Sequence, residues 1–117
     1  DNPVDVYIFQ AALYCERCGE AICESLTAKG KAPDDPSEER SYDSDDYPKG
    51  PYANGGGEAD TPQHCDECQL FLENPLTSDG VAYVREAIAE ARRRRRDKLS
   101  VACNIWRKFY AEELRDR

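Results

Sequence analysis

The chain has 117 residues, 39% of them hydrophobic and 34% charged, with a formal net charge of −8. That length suits one domain over residues 1–117 with a small core, for which a metal cross-link would offset part of the missing apolar burial. No run approaches the roughly 18 apolar residues of a membrane helix, and the acidic balance argues against general nucleic-acid binding.

Val4, Val6 and Ile8 alternate with Asp5, Tyr7 and Phe9. This period-two pattern of strand formers predicts a strand over residues 4–10, extendable to Tyr14. It leads into a first Cys-x-x-Cys pair, Cys15 and Cys18, followed by Gly19. A knuckle often requires a residue tolerant of positive φ after its second cysteine, and glycine supplies that. Ile22 and Leu26 are four apart and Gly30 is a stop signal, so a short helix is expected over 20–29 with that pair buried.

Residues 31–63 read as an irregular acidic loop, punctuated by Pro33, Pro36, Pro48, Pro51, Pro62 and the run Gly55-Gly56-Gly57. Loops this long are functional or disordered more often than not. Tyr42, Tyr47 and Tyr52 recur every five residues within it, a spacing that matches neither a helix face nor a strand face. Purely disordered linkers are poor in aromatics, so these tyrosines either pin the loop to the domain or form a contact surface for a partner.

Cys65 and Cys68 form the second pair, followed by Gln69 rather than glycine, which points to a less regular knuckle. Leu70, Phe71 and Leu72 read as a short buried strand closed by a turn at Asn74-Pro75. Thr77 or Ser78 can cap a helix whose Val81, Val84, Ile88 and Ala91 keep helical spacing to about residue 96, with Asp79 favouring its dipole. A break or bend is expected over Asp97–Ser100. A second amphipathic helix follows, with Val101, Ile105 and Phe109 at four-residue spacing beside Trp106, Tyr110 and Leu114; its aromatic face is expected to be core. The C-terminal part is thus helical over 78–116.

The two pairs, separated by 46 residues, carry the chemistry. Four cysteines so paired fit one tetrahedral zinc ion, and this is the preferred reading of Cys15, Cys18, Cys65 and Cys68. A disulfide framework would also use an even cysteine count, but it belongs to exported proteins, and no export signal is evident. A redox pair usually opens a helix after a strand, in positive surroundings; Glu16, Glu20, Asp66 and Glu67 instead crowd these sulfurs. An all-sulfur set of four leaves no coordination position for substrate water, so catalysis by the metal is not expected. His64 is read as a surface group or a neighbour of the ligands, and Cys23 and Cys103 as small buried hydrophobes.

Charge is uneven along the chain. Residues 34–60 hold nine acidic and two basic side chains, and residues 85–117 hold eleven basic and six acidic ones. Arg92, Arg93, Arg94, Arg95 and Arg96 would point all round a helix, as a solvated face or as a grip on an acidic partner or phosphate.

The run Cys15-Glu16-Arg17-Cys18-Gly19 resembles the knuckle of a zinc ribbon. The segment from Gly50 through Asp66, with Phe71-Leu72-Glu73-Asn74-Pro75-Leu76-Thr77 beyond it, resembles a group of small uncharacterised proteins of bacterial and phage genomes. That resemblance covers residues 6–90 and implies a zinc site and a bacterial or mobile-element setting. It implies no substrate. The expectation is therefore a soluble, cytoplasmic α+β domain with a few short strands, two or three helices and a bound zinc. Its expected function is non-enzymatic binding of another macromolecule, a protein before a nucleic acid. The alternatives are nucleic-acid binding through Arg92–Arg96, or inhibition by an acidic loop that imitates phosphate charge.

Overall fold

A computed structural model of the chain describes residues 4–94 and 97–115, with residues 97–100 described by their backbone alone. The architecture is α+β, with a three-stranded antiparallel sheet and four helices. Length alone points to one domain; the contacts fall into two compact units, one of residues 4–57 and 63–74, the other of residues 58–62 and 75 onward.

In the first unit the expected single strand turns back on itself. Strand β1 (Val6–Phe9) pairs antiparallel with β2 (Ala12–Cys15), Val6 opposite Cys15 and Phe9 opposite Ala12. The two-residue turn between them places Gln10 at φ 50° and Ala11 at φ 61°, both left-handed, as a tight hairpin of right-twisted strands requires. Neither residue is the glycine or asparagine that normally announces such a turn, so the sequence reads straight through it.

Helix α1 (Glu16–Ala28) starts four residues earlier than expected, because Cys15 ends β2 and serves as the helix N-cap. Gly30, at φ 75°, ends it as expected. Gly19 is helical and buried, and its need for glycine is steric: a Cβ there would stand 2.2 Å from Cδ2 of Tyr7. Ile22 and Leu26 are only half-buried, and with Phe9 they line an open groove along the helix.

The stretch expected to be irregular contains a third strand. β3 (Lys49–Tyr52) pairs with β1 through Val6–Tyr52 and Ile8–Lys49, with an irregularity between them, giving the order β2-β1-β3. Gly50 and Pro51 hid it, since both normally interrupt strands. An edge position tolerates them because half of its backbone groups need no partner.

The three tyrosines have intramolecular partners. Tyr47 is buried, its ring meets Tyr42 edge-on at 5.9 Å, and its hydroxyl lies 3.2 Å from Thr27 Oγ1 on α1. Tyr42 donates to the Pro36 carbonyl at 2.9 Å. Tyr52 donates to Glu39 Oε1 at 2.7 Å, and burial together with that carboxylate pushes its hydroxyl up to about 12, so it stays a donor. The hairpin tip adds a tether, Gln10 N to the Ser44 carbonyl at 3.0 Å. These contacts are those of loop anchors. Tyr47→Ala should therefore cost about 3 kcal/mol, in the range for truncating a buried aromatic, and Tyr42→Ala less. Thermal melting of the two variants checks this; equal and negligible shifts would remove the anchoring role.

In the second unit, Ala59 and Leu76 form a parallel bridge, and Thr77 N donates to the Ala59 carbonyl at 3.0 Å. Thr77 caps helix α2 (Ser78–Arg94), its Oγ1 accepting from Gly80 N at 3.0 Å. Val84 and Ala91 are buried and Val81 and Ile88 half-buried, the register expected from their spacing. Helix α3 (Asp97–Phe109) and the short α4 (Ala111–Arg115) follow.

Part of the expected aromatic face of α3 lies in the core, and part does not. Cys103, Trp106 and Tyr110 are buried, whereas Val101, Ile105 and Phe109 are 63%, 43% and 45% exposed. Both triplets keep helical spacing, and the one carrying the larger rings against α2 wins the core. Among the described residues no helix is long and apolar enough to cross a membrane.

Candidate metal centre

The four paired cysteines converge in the first unit. Cys15 stands at the β2–α1 junction and Cys18 three residues on, in the first turn of α1. Cys65 and Cys68 come from a tight turn between two short extended segments bridged at His64 and Phe71. Cys65 N donates to the Leu70 carbonyl at 2.8 Å, and Gln69 N donates to the Cys65 carbonyl at 2.9 Å. Cys68 N donates toward Cys65 Sγ at 3.5 Å, the backbone-to-sulfur contact that curls a knuckle round its ion. Gln69 takes φ 68°, the left-handed conformation that glycine usually fills, so the departure from the ribbon pattern has not opened the turn. Asp66 N, bonded to the Leu13 carbonyl at 2.8 Å, fastens the second pair to β2.

The four Sγ atoms all lie within 4.8 Å of one another, with Cys15 and Cys68 at 3.8 Å. A tetrahedron with Zn–S bonds of about 2.3 Å has edges of about 3.8 Å. All six cysteines are free thiols. The arrangement is therefore a four-sulfur cluster that can hold one metal ion.

Its surroundings are apolar. Val6, Cys15, Cys65 and Leu72 form one buried cluster, against which Val4, Leu13, Tyr14, Cys18 and Tyr52 pack. The candidate centre and the core of the unit are thus the same place. Of the four sulfur residues only Cys68 is exposed.

Electrostatics point the same way. Burial, with the neighbouring sulfurs of Cys15, Cys65 and Cys68, pushes the Cys18 thiol up to about 12. Burial also raises Cys15. At Cys65 burial acts upward too, but backbone N–H groups at Cys68, Cys15 and Glu67 outweigh it and hold the thiol at about 6. One sulfur ionises readily and its neighbours then resist, because thiolates this close repel. A cation among them removes the conflict.

The strand-to-helix placement of Cys15 and Cys18 is the setting of a redox pair, which the sequence did not reveal. What separates it from one is the second pair, which brings two further sulfurs to the same point. His64 stands outside the sulfur cluster: its Nδ1 donates to the Gln69 carbonyl at 3.0 Å, and its ring lies 5.3 Å from that of Phe71. Cys103 is buried, its Sγ donating to the Ala87 carbonyl at 3.6 Å, and Cys23 is half-buried beside Tyr47.

The arginine run divides. Arg93 pairs with Glu86 and Glu90, and Arg94 with Glu90, on one face of α2. Arg92 lies on another face, facing α3, and Arg95 and Arg96 lie outside the described residues. Sequence reasoning missed Arg107, which shares a groove with Arg92 only through the packing of α2 on α3, and it expected a less regular knuckle at Gln69, whose left-handed backbone has no signature in its side chain.

Comparison with protein families, with curated proteins and with solved structures gives no match to this chain. The fold and the sulfur cluster define it as a small α+β protein with a candidate four-cysteine metal centre in its core.

Proposed function

We propose that the protein is a zinc-stabilised, non-enzymatic module that binds another protein. Zinc is the ion that four thiolates at tetrahedral spacing suit best, and with four protein ligands its coordination is closed to substrate. Its role is then to hold β2, α1 and the second knuckle together. The resemblance carried by residues 6–90 is the basis for a bacterial or phage setting.

One observation carries the interaction: the stripe of Val101, Ile105 and Phe109 on α3, large apolar side chains at four-residue spacing that stay exposed while the chain has little apolar surface to spare. The nucleic-acid reading is weaker, because Arg93 and Arg94 are engaged by Glu86 and Glu90 on their own helix. At about 0.15 M salt no appreciable binding of DNA or RNA is expected.

Two measurements on one preparation test the proposal. Metal analysis should give about one zinc per chain, and a folded, metal-free protein would refute the metal half. Ile105→Asp should leave zinc content unchanged and melting within about 0.5 kcal/mol, as exposed positions usually do. It should abolish copurification of the partner from the native host. Unchanged copurification would remove the stripe from recognition.

A further inference from the structure

We propose that the groove between α2 and α3 is a recognition site for an acidic, amphipathic segment of a partner protein, with Arg92 and Arg107 clasping its carboxylates. This goes beyond the exposed stripe of Val101, Ile105 and Phe109, none of which lines the groove, and rests on the protein-binding reading above.

The groove lies within the second unit and has two adjoining lobes of about 220 and 320 Å³. Both are lined by Ile88, Arg92 and Arg107, so the two arginines share one groove with the aliphatic side chains of Ile88, Ala89, Ala91 and Leu114. The geometry follows from helix periodicity. Arg85, Ile88 and Arg92 fall on one face of α2, at steps of three and four, while Arg93 and Arg94 fall on the face of Glu86 and Glu90. Arg107 comes from α3, where its Nη2 donates to Asn104 Oδ1 at 2.8 Å. That neutral amide positions the guanidinium and leaves its charge uncompensated. Among the described residues no carboxylate lies within 4 Å of Arg92 or Arg107, whereas Arg93 and Arg94 both have one. Arg85, at the outer lobe, donates to the carbonyls of Glu113 and Leu114 at 3.2 and 3.1 Å.

Two guanidiniums without a carboxylate partner among the described residues, in one groove with aliphatic side chains, select a ligand that mixes acidic and apolar groups. Planar forks match carboxylates in a bidentate manner, and the aliphatic side chains accept a leucine or phenylalanine. A bare polyanion would leave the aliphatic side chains unused. It would also have to gain its affinity from two free arginines on a chain of net charge −8. A helical or extended peptide with acidic residues flanking apolar ones uses both features, in the helix-in-groove mode.

The test is a titration of the full chain, its zinc content measured on the same sample, with a synthetic peptide of about 16 residues carrying Leu and Phe at helical spacing and Asp and Glu elsewhere. Saturable binding is expected, with chemical-shift changes in nitrogen-15 spectra centred on Ile88, Arg92 and Arg107. Loss of two charge-assisted contacts in the double variant Arg92→Gln, Arg107→Gln should weaken it about tenfold or more, with circular dichroism and zinc content unchanged. Arg107→Glu should invert the preference toward a peptide with Lys in place of Glu, a result that general loss of fold would not produce. No saturation with the acidic peptide, or equal affinity in the double variant, would overturn the proposal. So would a single-stranded oligonucleotide binding more tightly than the peptide, or concentration-dependent self-association lost in the double variant, which would put this chain's own acidic stretch in the groove. Zinc-replete protein that ignores the peptide refutes the groove alone. Folded metal-free protein that binds it refutes the metal reading alone.

Discussion

Cys15→Ser should strip the metal and unfold the sheet unit. Cys15 is buried beside Val6, Cys65 and Leu72, so it is both a ligand and part of the unit's hydrophobic cluster. Structural zinc in small four-ligand domains contributes on the order of 10 kcal/mol of apparent folding free energy, as much as the whole stability of a typical domain. Losing one ligand of four, and placing a hydroxyl in an apolar cluster, leaves little to offset the ordering of residues 4–57. The expected result is metal content near zero and loss of amide exchange protection along β1, β2 and β3. Cys23→Ser, at a half-buried thiol outside the cluster, should keep its zinc and lose about 1 kcal/mol or less. A strong zinc chelator applied to the unmodified chain should reproduce the first phenotype and leave exchange slow only where the helices of the second unit pack. Full protection after chelation would show that the sulfurs hold no ion that matters to the fold.

The contrast between those two cysteines is legible in the sequence, because spacing separates them: Cys15 and Cys65 each have a partner three residues on, and Cys23 has none. The register of α2 is legible for a similar reason, since Val81, Val84, Ile88 and Ala91 fit only one face. The failures have one physical cause, in that local signals cannot report a contact made elsewhere. Gln10 and Ala11 turn a hairpin without turn residues because the paired strands hold them there. Gly50 and Pro51 look like breakers and are strand, because β1 supplies the partner and the outer edge asks for nothing. On α3 the expected burial of Trp106 and Tyr110 holds, but packing on α2 seats Cys103 beside them and leaves Val101, Ile105 and Phe109 outside. Asn74 reads as the start of a turn with Pro75. It is fully buried, its Oδ1 accepting from Gln63 N at 2.8 Å, and so satisfies the backbone just before the second knuckle.

That same backbone makes Gly55→Ala a damaging substitution despite its small size. Gly55 sits at φ 63°, and its N donates to the Val4 carbonyl at 2.7 Å. A Cβ there would stand 2.3 Å from the Leu72 carbonyl oxygen and 2.8 Å from Asn74 N. Both obstacles are main chain, so no side chain can rotate away. Residues 72–74 must move, and with them Leu72, which is fully buried against Cys65 and bonded through its N to the Gln63 carbonyl at 2.9 Å. Left-handed strain of about 1 kcal/mol and overpacking of about 1–3 kcal/mol together predict a loss of roughly 3 kcal/mol. Gly30→Ala is the control: its φ of 75° imposes similar strain, but nothing lies within 4 Å of the added methyl. It should lose only about 1 kcal/mol. Melting temperatures of the two variants with metal bound isolate the contribution of close approach, at several degrees per kcal/mol for a unit this small. Because the displaced segment leads back to Cys65 and Cys68, Gly55→Ala should also give up its metal to a chelator faster, and Gly30→Ala should not. Equal melting shifts with equal release rates would mean that the backbone at Leu72 yields without reaching the sulfurs, and that the core and the metal centre are less tightly joined than their shared residues imply.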